Sequence, residues 1–259
     1  MLPSSRGPLF PERLPEFHRL AAGGGTEDLV RWFWISRWSL PDGEVSRQQL
    51  IGYPALNLVV ETSLVGLSGP TTVAGHRDLT GTGWAVAALL RPAAVRAFVG
   101  EARELCDRYD RLDAPDLHDA VASAMADPRG ADLPAATEVL ASWLVARVGE
   151  VTPEGRLANR LAELAEASDI QRVGVLADRL AVSERTLQRL ARTYIGLSPA
   201  ALIRRRRLQE AAQRIRQEPD ADLAGIAAEL GYADQAHLTN EFARVLGFTP
   251  ASYRRTVTG

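Results

Sequence analysis

Arg185, Gln188, Arg189 and Arg192 recur at spacings of one, three and four residues in SERTLQRLART, a segment of helical texture. At 3.6 residues per turn they share one face with Glu184, while Leu187, Leu190, Ala191 and Tyr194 take the opposite one. A face of this kind has a defined chemistry. A guanidinium can donate two parallel hydrogen bonds to guanine O6 and N7, and a carboxamide can pair with adenine N6 and N7. A solitary Arg-rich helix face is more often simply solvated. Here the segment occurs twice, which favours the reading face over the solvated one.

Val175–Arg204 aligns with Ile226–Arg255 at an offset of 51 residues. Val175 falls on Ile226, Ala177 on Ala228 and Leu187 on Leu238, and Gly196-Leu197-Ser198-Pro199-Ala200 falls on Gly247-Phe248-Thr249-Pro250-Ala251. Each copy has the layout of a helix, a tight turn and a second helix. In the first, Val175–Leu180 leads, Ala181-Val182 turns, and Ser183 is placed to cap the next helix through its hydroxyl. In the second, Leu223–Leu230 leads, Gly231 turns and Asp234 caps. There Leu238, Phe242 and Val245 point inward, while Gln235, Ala236, Thr239 and Asn240 form an outward face that is polar but nearly uncharged. His237 lies on the flank and fits a hydrogen-bonding or phosphate-contacting role better than that of a metal ligand.

Between the copies, Pro199 opens a helix predicted to run to about Gln217, which at ~1.5 Å per residue is roughly 28 Å long. Such a spacer suits two reading heads about one duplex turn, ~34 Å, apart. Arg204 to Arg207 lie on it. Four consecutive residues cannot share one face, so the cluster must divide between phosphate contacts and intramolecular ion pairs. The candidate phosphate contacts are Ser183, Arg192, Arg204, Arg205 and His237.

The 259 residues predict two domains, and every one of the 30 basic residues is Arg. The net charge of -2 hides a split: residues 1–150 carry 14 Arg against 19 acidic residues, whereas residues 151–259 carry 16 against 13. The basic half suits a polyanion partner. No apolar run reaches the ~18–20 residues of a membrane span, and MLPSSRGPLFPERLPEF lacks the layout of a secretory signal. With Cys106 alone, neither an internal disulfide nor a Cys-rich zinc site is available. A cytoplasmic location without membrane contact is therefore expected.

In the first half, LVRWFWISRW, QLIGYPALNLVVE and TGWAVAALL are strand-like and separated by turn signals, which predicts a small antiparallel sheet or barrel over about 29–90. Residues 1–28, rich in Pro and ending near Gly23-Gly24-Gly25, predict an irregular arm. Helices are predicted over Ala93–Arg108, Pro115–Met125 and Pro134–Val148, with a boundary at Asp127-Pro128-Arg129-Gly130. Trp32, Trp34 and Trp38 alternate onto one sheet face and are candidate walls of a ligand pocket, or else core or dimer-surface residues. His18, His76 and His118 are far apart, so neither a metal nor another cofactor is expected.

LADRLAVSERTLQRLARTYIGLSPAALIRRRRLQEA and IAAELGYADQAHLTNEFARVLGFTPASYRR together resemble the double helix-turn-helix domain of AraC/XylS-type bacterial transcription regulators, over about residues 155–257. That resemblance implies recognition helices in two adjacent major grooves of double-stranded DNA. By matching positions, Arg185, Gln188 and Arg189 would read bases in the first groove, and Gln235, Ala236, Thr239 and Asn240 in the second. Ala191 stands where the family usually has a large aromatic, Asn240 where Arg is frequent and Ala236 where a polar residue is frequent. Tyr53–Val59 and Leu90–Ala94 resemble the cupin-like companion barrel of some members. The implied fold is α+β: a small cupin-like β-barrel with a helical extension, followed by an all-α tandem helix-turn-helix domain. The implied division is 1–150 for sensing or dimerisation and 151–259 for DNA. A small-molecule effector, a homodimer and RNA polymerase are the further partners that the resemblance brings. Two alternatives stand beside it. One is a regulator whose first half is purely structural and ligand-free. The other is a DNA alkyl-transfer repair protein using Cys106, a thiol whose neighbours Glu104 and Asp107 oppose thiolate formation.

Overall fold

The computed structural model describes residues 16–50, 53–72, 75–126 and 132–258. Its first half is built on an antiparallel sheet of β1 (Glu16–Ala21), β2 (Val30–Ser39), β7 (Thr82–Leu90), β4 (Asn57–Glu61), β5 (Leu64–Ser68) and β8 (Tyr109–Leu112), in that spatial order. Alternation along β2 sends Phe33 and Ile35 into the main core and Trp34 and Trp38 to the other face. A register shift between Val30 and Trp32 turns Val30 onto the core side as well.

The expected closed barrel does not form. Closure would require the two edge strands to meet, but β1 pairs only with β2 and β8 only with β5 among the described residues. Strand β3 (Val45–Leu50) pairs with β6 (Gly75–Thr80) in a separate two-stranded sheet. The α+β class holds. Strand β1 arises within the stretch expected to be an irregular arm; residues 1–15 of that arm lie outside the described residues. The helix expected over Ala93–Arg108 is also replaced. Two short 3-10 turns, Pro92–Ala97 and Ala102–Leu105, stand in its place. The first ends with a cap at Phe98, whose backbone N–H donates to the Val95 carbonyl, and a reciprocal capping box between Glu101 and Glu104 starts the second.

Helices α1 (Pro115–Met125) and α2 (Leu133–Val148) follow the expected bounds closely. They bury Leu117, Val121, Ala136, Leu140 and Leu144 against Leu58, Val60, Val86 and Ala88 of the sheet. The boundary expected at Asp127–Gly130 lies outside the described residues.

The second half is helical: α3 (Pro153–Ala165), α4 (Val173–Leu180), α5 (Glu184–Tyr194), α6 (Pro199–Gln217), α7 (Leu223–Glu229), α8 (Gln235–Leu246) and α9 (Pro250–Thr258). It holds two cores. One joins α3, α4 and α5 to the start of α6 through Leu161, Leu176, Leu187, Leu190 and Leu202. The other joins the end of α6 to α7, α8 and α9 through Ile215, Ile226, Leu238, Phe242 and Tyr253.

The halves touch at specific points. Buried Asn159 on α3 donates to the Asp28 carbonyl at 2.8 Å and accepts from the Ala93 backbone N–H at 2.9 Å. Arg31 pairs with Glu166, and Arg91 with Glu163 at 2.6 Å. Gly196, at φ +87°, ends α5 in the left-handed region, and a Cβ there would lie 2.9 Å from the Ala102 carbonyl oxygen. Its repeat partner Gly247, at φ +82°, would meet nothing within 4 Å. The repeat thus uses the same glycine twice for its turn, and only once for contact across the halves.

Candidate nucleic-acid interface

Helix α5 forms where the cap and periodicity predict it. Ala181 turns the chain at φ +54°, and the Ser183 hydroxyl accepts from the Thr186 backbone N–H at 3.2 Å. Leu187, Leu190, Ala191 and Tyr194 are buried, whereas Arg185, Gln188, Arg189 and Arg192 are exposed on the opposite face. Tyr194 supplies the aromatic bulk that Ala191 lacks, and its hydroxyl donates to Glu154 at 3.0 Å.

Helix α8 repeats this geometry. Asp234 accepts from the His237 backbone N–H at 2.7 Å, and Gly231 supplies the turn at φ +74°. Gln235, Ala236 and Asn240 are exposed and Thr239 is half-buried. The His237 ring packs edge-on against Tyr232, with centroids 5.3 Å apart, and stands 3.7 Å from Glu241. Glu241 is buried at the repeat position held by Leu190 in the first copy. Helical periodicity places it on the inward face, but its acidic type gives no sign of burial.

The two faces differ in charge, and the first is partly engaged. Arg189 pairs with Glu154 of α3 at 2.7 Å. The Glu154 carboxyl is held below the usual carboxylate range, chiefly by that hydrogen bond from Arg189. Arg192 Nε donates to Glu101 of the first half at 2.8 Å. Arg185 and Gln188 complete the face.

The arginine cluster on α6 divides as helical geometry requires. Arg204 is exposed. Arg206 is buried and pairs with Glu210 at 3.1 Å, and Arg207 lies 4.0 Å over the Tyr232 ring. Arg205 departs from its expected role. It is only 4% exposed, donates to the Thr71 carbonyl and, at 3.1 Å, to the Thr71 hydroxyl, and is lowered to about 10 by burial. It lies inside the junction between the halves and drops out of the candidate phosphate contacts. Sequence periodicity alone could not separate Arg204 from Arg205, because which flank of α6 the first half covers is a tertiary fact.

In the first half, Trp32 is buried edge-on against Tyr53, with centroids 4.8 Å apart. Trp34 donates its indole N–H to Asn57 and stacks on Phe17, and Trp38 donates to the Thr80 carbonyl. Trp34 and Trp38 pack with Val59, Ala85 and Ala87 as a thin second apolar layer. The Cys106 thiol is pushed up by burial and by Asp107, away from thiolate character. No helix among the described residues is long and apolar enough to cross a membrane.

Residues 176–256 match the family described as a helix-turn-helix domain, and residues 25–109 match a domain of unknown function. The chain is 35% identical over 81 residues to the transcriptional activator RhaS of Pectobacterium carotovorum, covering 31% of this chain and 29% of RhaS. It is 32% identical over 87 residues to the probable transcription factor PqrA of Proteus vulgaris, covering 34% of this chain and 70% of PqrA. The DNA-binding domain of AdpA, solved with a target DNA, is 28% identical at a TM-score of 0.33, covering 40% of this chain and 91% of that one. The match to RhaS thus spans less than a third of that relative's length.

Proposed function

Because the chain belongs to the AraC/XylS family of DNA-binding transcription regulators, we propose that it recognises a specific duplex sequence by laying α5 and α8 into adjacent major grooves. The observation that carries this reading is the recurrence of one geometry: a left-handed turn residue, Ala181 and then Gly231, followed by a side-chain cap and a helix with an exposed polar face that both recur at an offset of 51 residues. In this reading Arg185, Gln188 and Arg189 contact base edges in the first groove, with Arg189 the strongest discriminator. Gln235, Ala236, Thr239 and Asn240 contact the second groove and discriminate less, for want of a guanidinium. Ser183, Arg192, Arg204 and His237 hold the backbone. Arg192 must leave Glu101 to do so.

The first half, residues 1–150, acts in this proposal as the sensing or dimerising part, the second, residues 151–259, as the DNA-binding part. The protein works in the cytoplasm as a homodimer, modulates RNA polymerase at the bound site, and responds to a small molecule. The supporting observation is the set of bonds between the halves, which makes the setting of α5 dependent on the first half. Selection from random duplexes with the purified chain tests the reading. A strong motif beside a weaker one is expected, and enrichment of no motif would overturn it.

A further inference from the structure

A cavity of about 350 Å³ lies where the halves join. Its apolar wall is made by Tyr53, Leu90, Ala162, Ile195 and Leu202, drawn from the segment before β4, from β7, α3, the end of α5 and α6. That volume falls within the range of small-molecule sites, and mostly apolar walls with a few polar groups are what such sites carry.

The polar groups narrow the chemistry. Three guanidiniums line the cavity, and each already has a carboxylate: Arg31 with Glu166, Arg91 with Glu163, and Arg206 with Glu210. The lining therefore offers no unneutralised charge. It does offer unfilled hydrogen-bond donors. Gln209 is 8% exposed, and its amide nitrogen has no hydrogen-bond partner among the described residues; the same holds for the buried Nε of Arg91. A buried donor without an acceptor costs free energy, and an acceptor on a bound molecule would recover it. A carboxylate would bring a further negative charge beside Glu163 and Glu166, and an amine would bring another donor.

We propose that this cavity binds an uncharged, mainly apolar small molecule carrying a carbonyl acceptor, received by Gln209 and Arg91. This rests on the effector-modulated reading for its consequence, and not for binding itself. A molecule that fits the junction favours the arrangement in which it exists, and in that arrangement Glu101 holds Arg192. Occupancy therefore lowers DNA affinity, and DNA lowers ligand affinity by the same factor.

The test uses the full chain and three matched sets: benzamide, phenylacetamide and cinnamamide, each beside the carboxylate and the amine of its skeleton. Binding is measured by ligand-observed NMR and calorimetry without DNA. At least one amide should bind about tenfold more tightly than its carboxylate and amine. Ala162→Trp, which fills the cavity, should abolish binding. Gln209→Leu should weaken it about fivefold while leaving the thermal midpoint unchanged or raised, since its nitrogen has no bond to lose. No amide binding, a preference for the carboxylate or amine, or indifference to both substitutions would overturn the proposal. Amide binding that leaves DNA affinity unchanged would overturn the coupling, and loss of motif selection with amide binding intact would overturn the DNA reading alone.

Discussion

Arg192 Nε donates to Glu101 Oε2 at 2.8 Å, so a carboxylate from the first half holds the last cation on the exposed polar face of α5. Both side chains are partly exposed, and an ion pair in such a setting is worth at most about 1 kcal/mol. The pair therefore competes with DNA weakly. Glu101→Gln keeps a side chain able to accept the hydrogen bond and removes the charge. It should raise DNA affinity about two- to fivefold in fluorescence anisotropy. An unchanged affinity would mean that Arg192 is not drawn to phosphate.

Arg189 should carry more of the discrimination. Arg189→Ala is expected to cost about 1–3 kcal/mol of specific binding and to relax preference at one base pair. Its tie to Glu154 adds a statement about pH. A carboxyl held below its ordinary range stays ionised above that range, and the tie is lost only as pH falls through the lowered value. Specific binding by the wild-type chain should therefore show no pH dependence from this pair between about pH 6 and about pH 8. Titrating Arg189→Ala beside the wild type over that interval checks it, since the ratio of their affinities should stay constant.

Arg204 and Arg205 are neighbours with different expected roles. Arg204→Ala should weaken all duplexes alike and reduce the slope of log affinity against log salt by about one. Arg205→Ala should leave that slope unchanged and lower the melting midpoint, because its bonds to Thr71 join the halves. Burial lowers the Arg205 guanidinium to about 10, so at neutral pH it is charged, and the desolvation of that charge offsets part of what its bonds to Thr71 contribute. That cost is relieved only as pH rises above about 10 toward the ordinary value. A flattened salt slope for Arg205→Ala would contradict its place in the junction.

The two repeat glycines give a stability test. Gly196→Ala and Gly247→Ala each force an alanine into the left-handed region, at about 1–2 kcal/mol. Only at Gly196 would the new methyl also meet backbone, 2.9 Å from the Ala102 carbonyl oxygen, and lie 2.8 Å from Pro70. Thermal denaturation should rank Gly196→Ala clearly below Gly247→Ala. Equal losses would mean that the halves part freely at this point.

The parts of the fold that were legible in the sequence are those whose causes are local. Ser183 and Asp234 cap helices through bonds spanning three residues, and Pro115 and Pro199 sit in the first turn of their helices, so those elements could be placed from neighbours alone. The repeat made the exposed faces of α5 and α8 legible for the same reason. What escaped depends on partners far along the chain. Glu101 and Arg192 are separated by 91 residues, and Asn159 meets Asp28 across 131. No periodicity records such pairs. The barrel expectation failed likewise: turn signals mark where strands end, but whether β1 and β8 close on each other is settled by pairings that leave no local trace. The helix expected over Ala93–Arg108 shows the converse, an apolar period broken after Ala97 and restarted by the capping box at Glu101.

If α5 and α8 of one chain read two neighbouring grooves, both must leave a mark on a single duplex. A hydroxyl-radical footprint with base-interference mapping on a selected duplex, at near-physiological salt, tests it most directly. Two base-specific patches on one side of the duplex are expected, with centres ~34 Å apart, the first weakened at one base pair in Arg189→Ala and the second unchanged. A single patch, or protection without base interference, would contradict it.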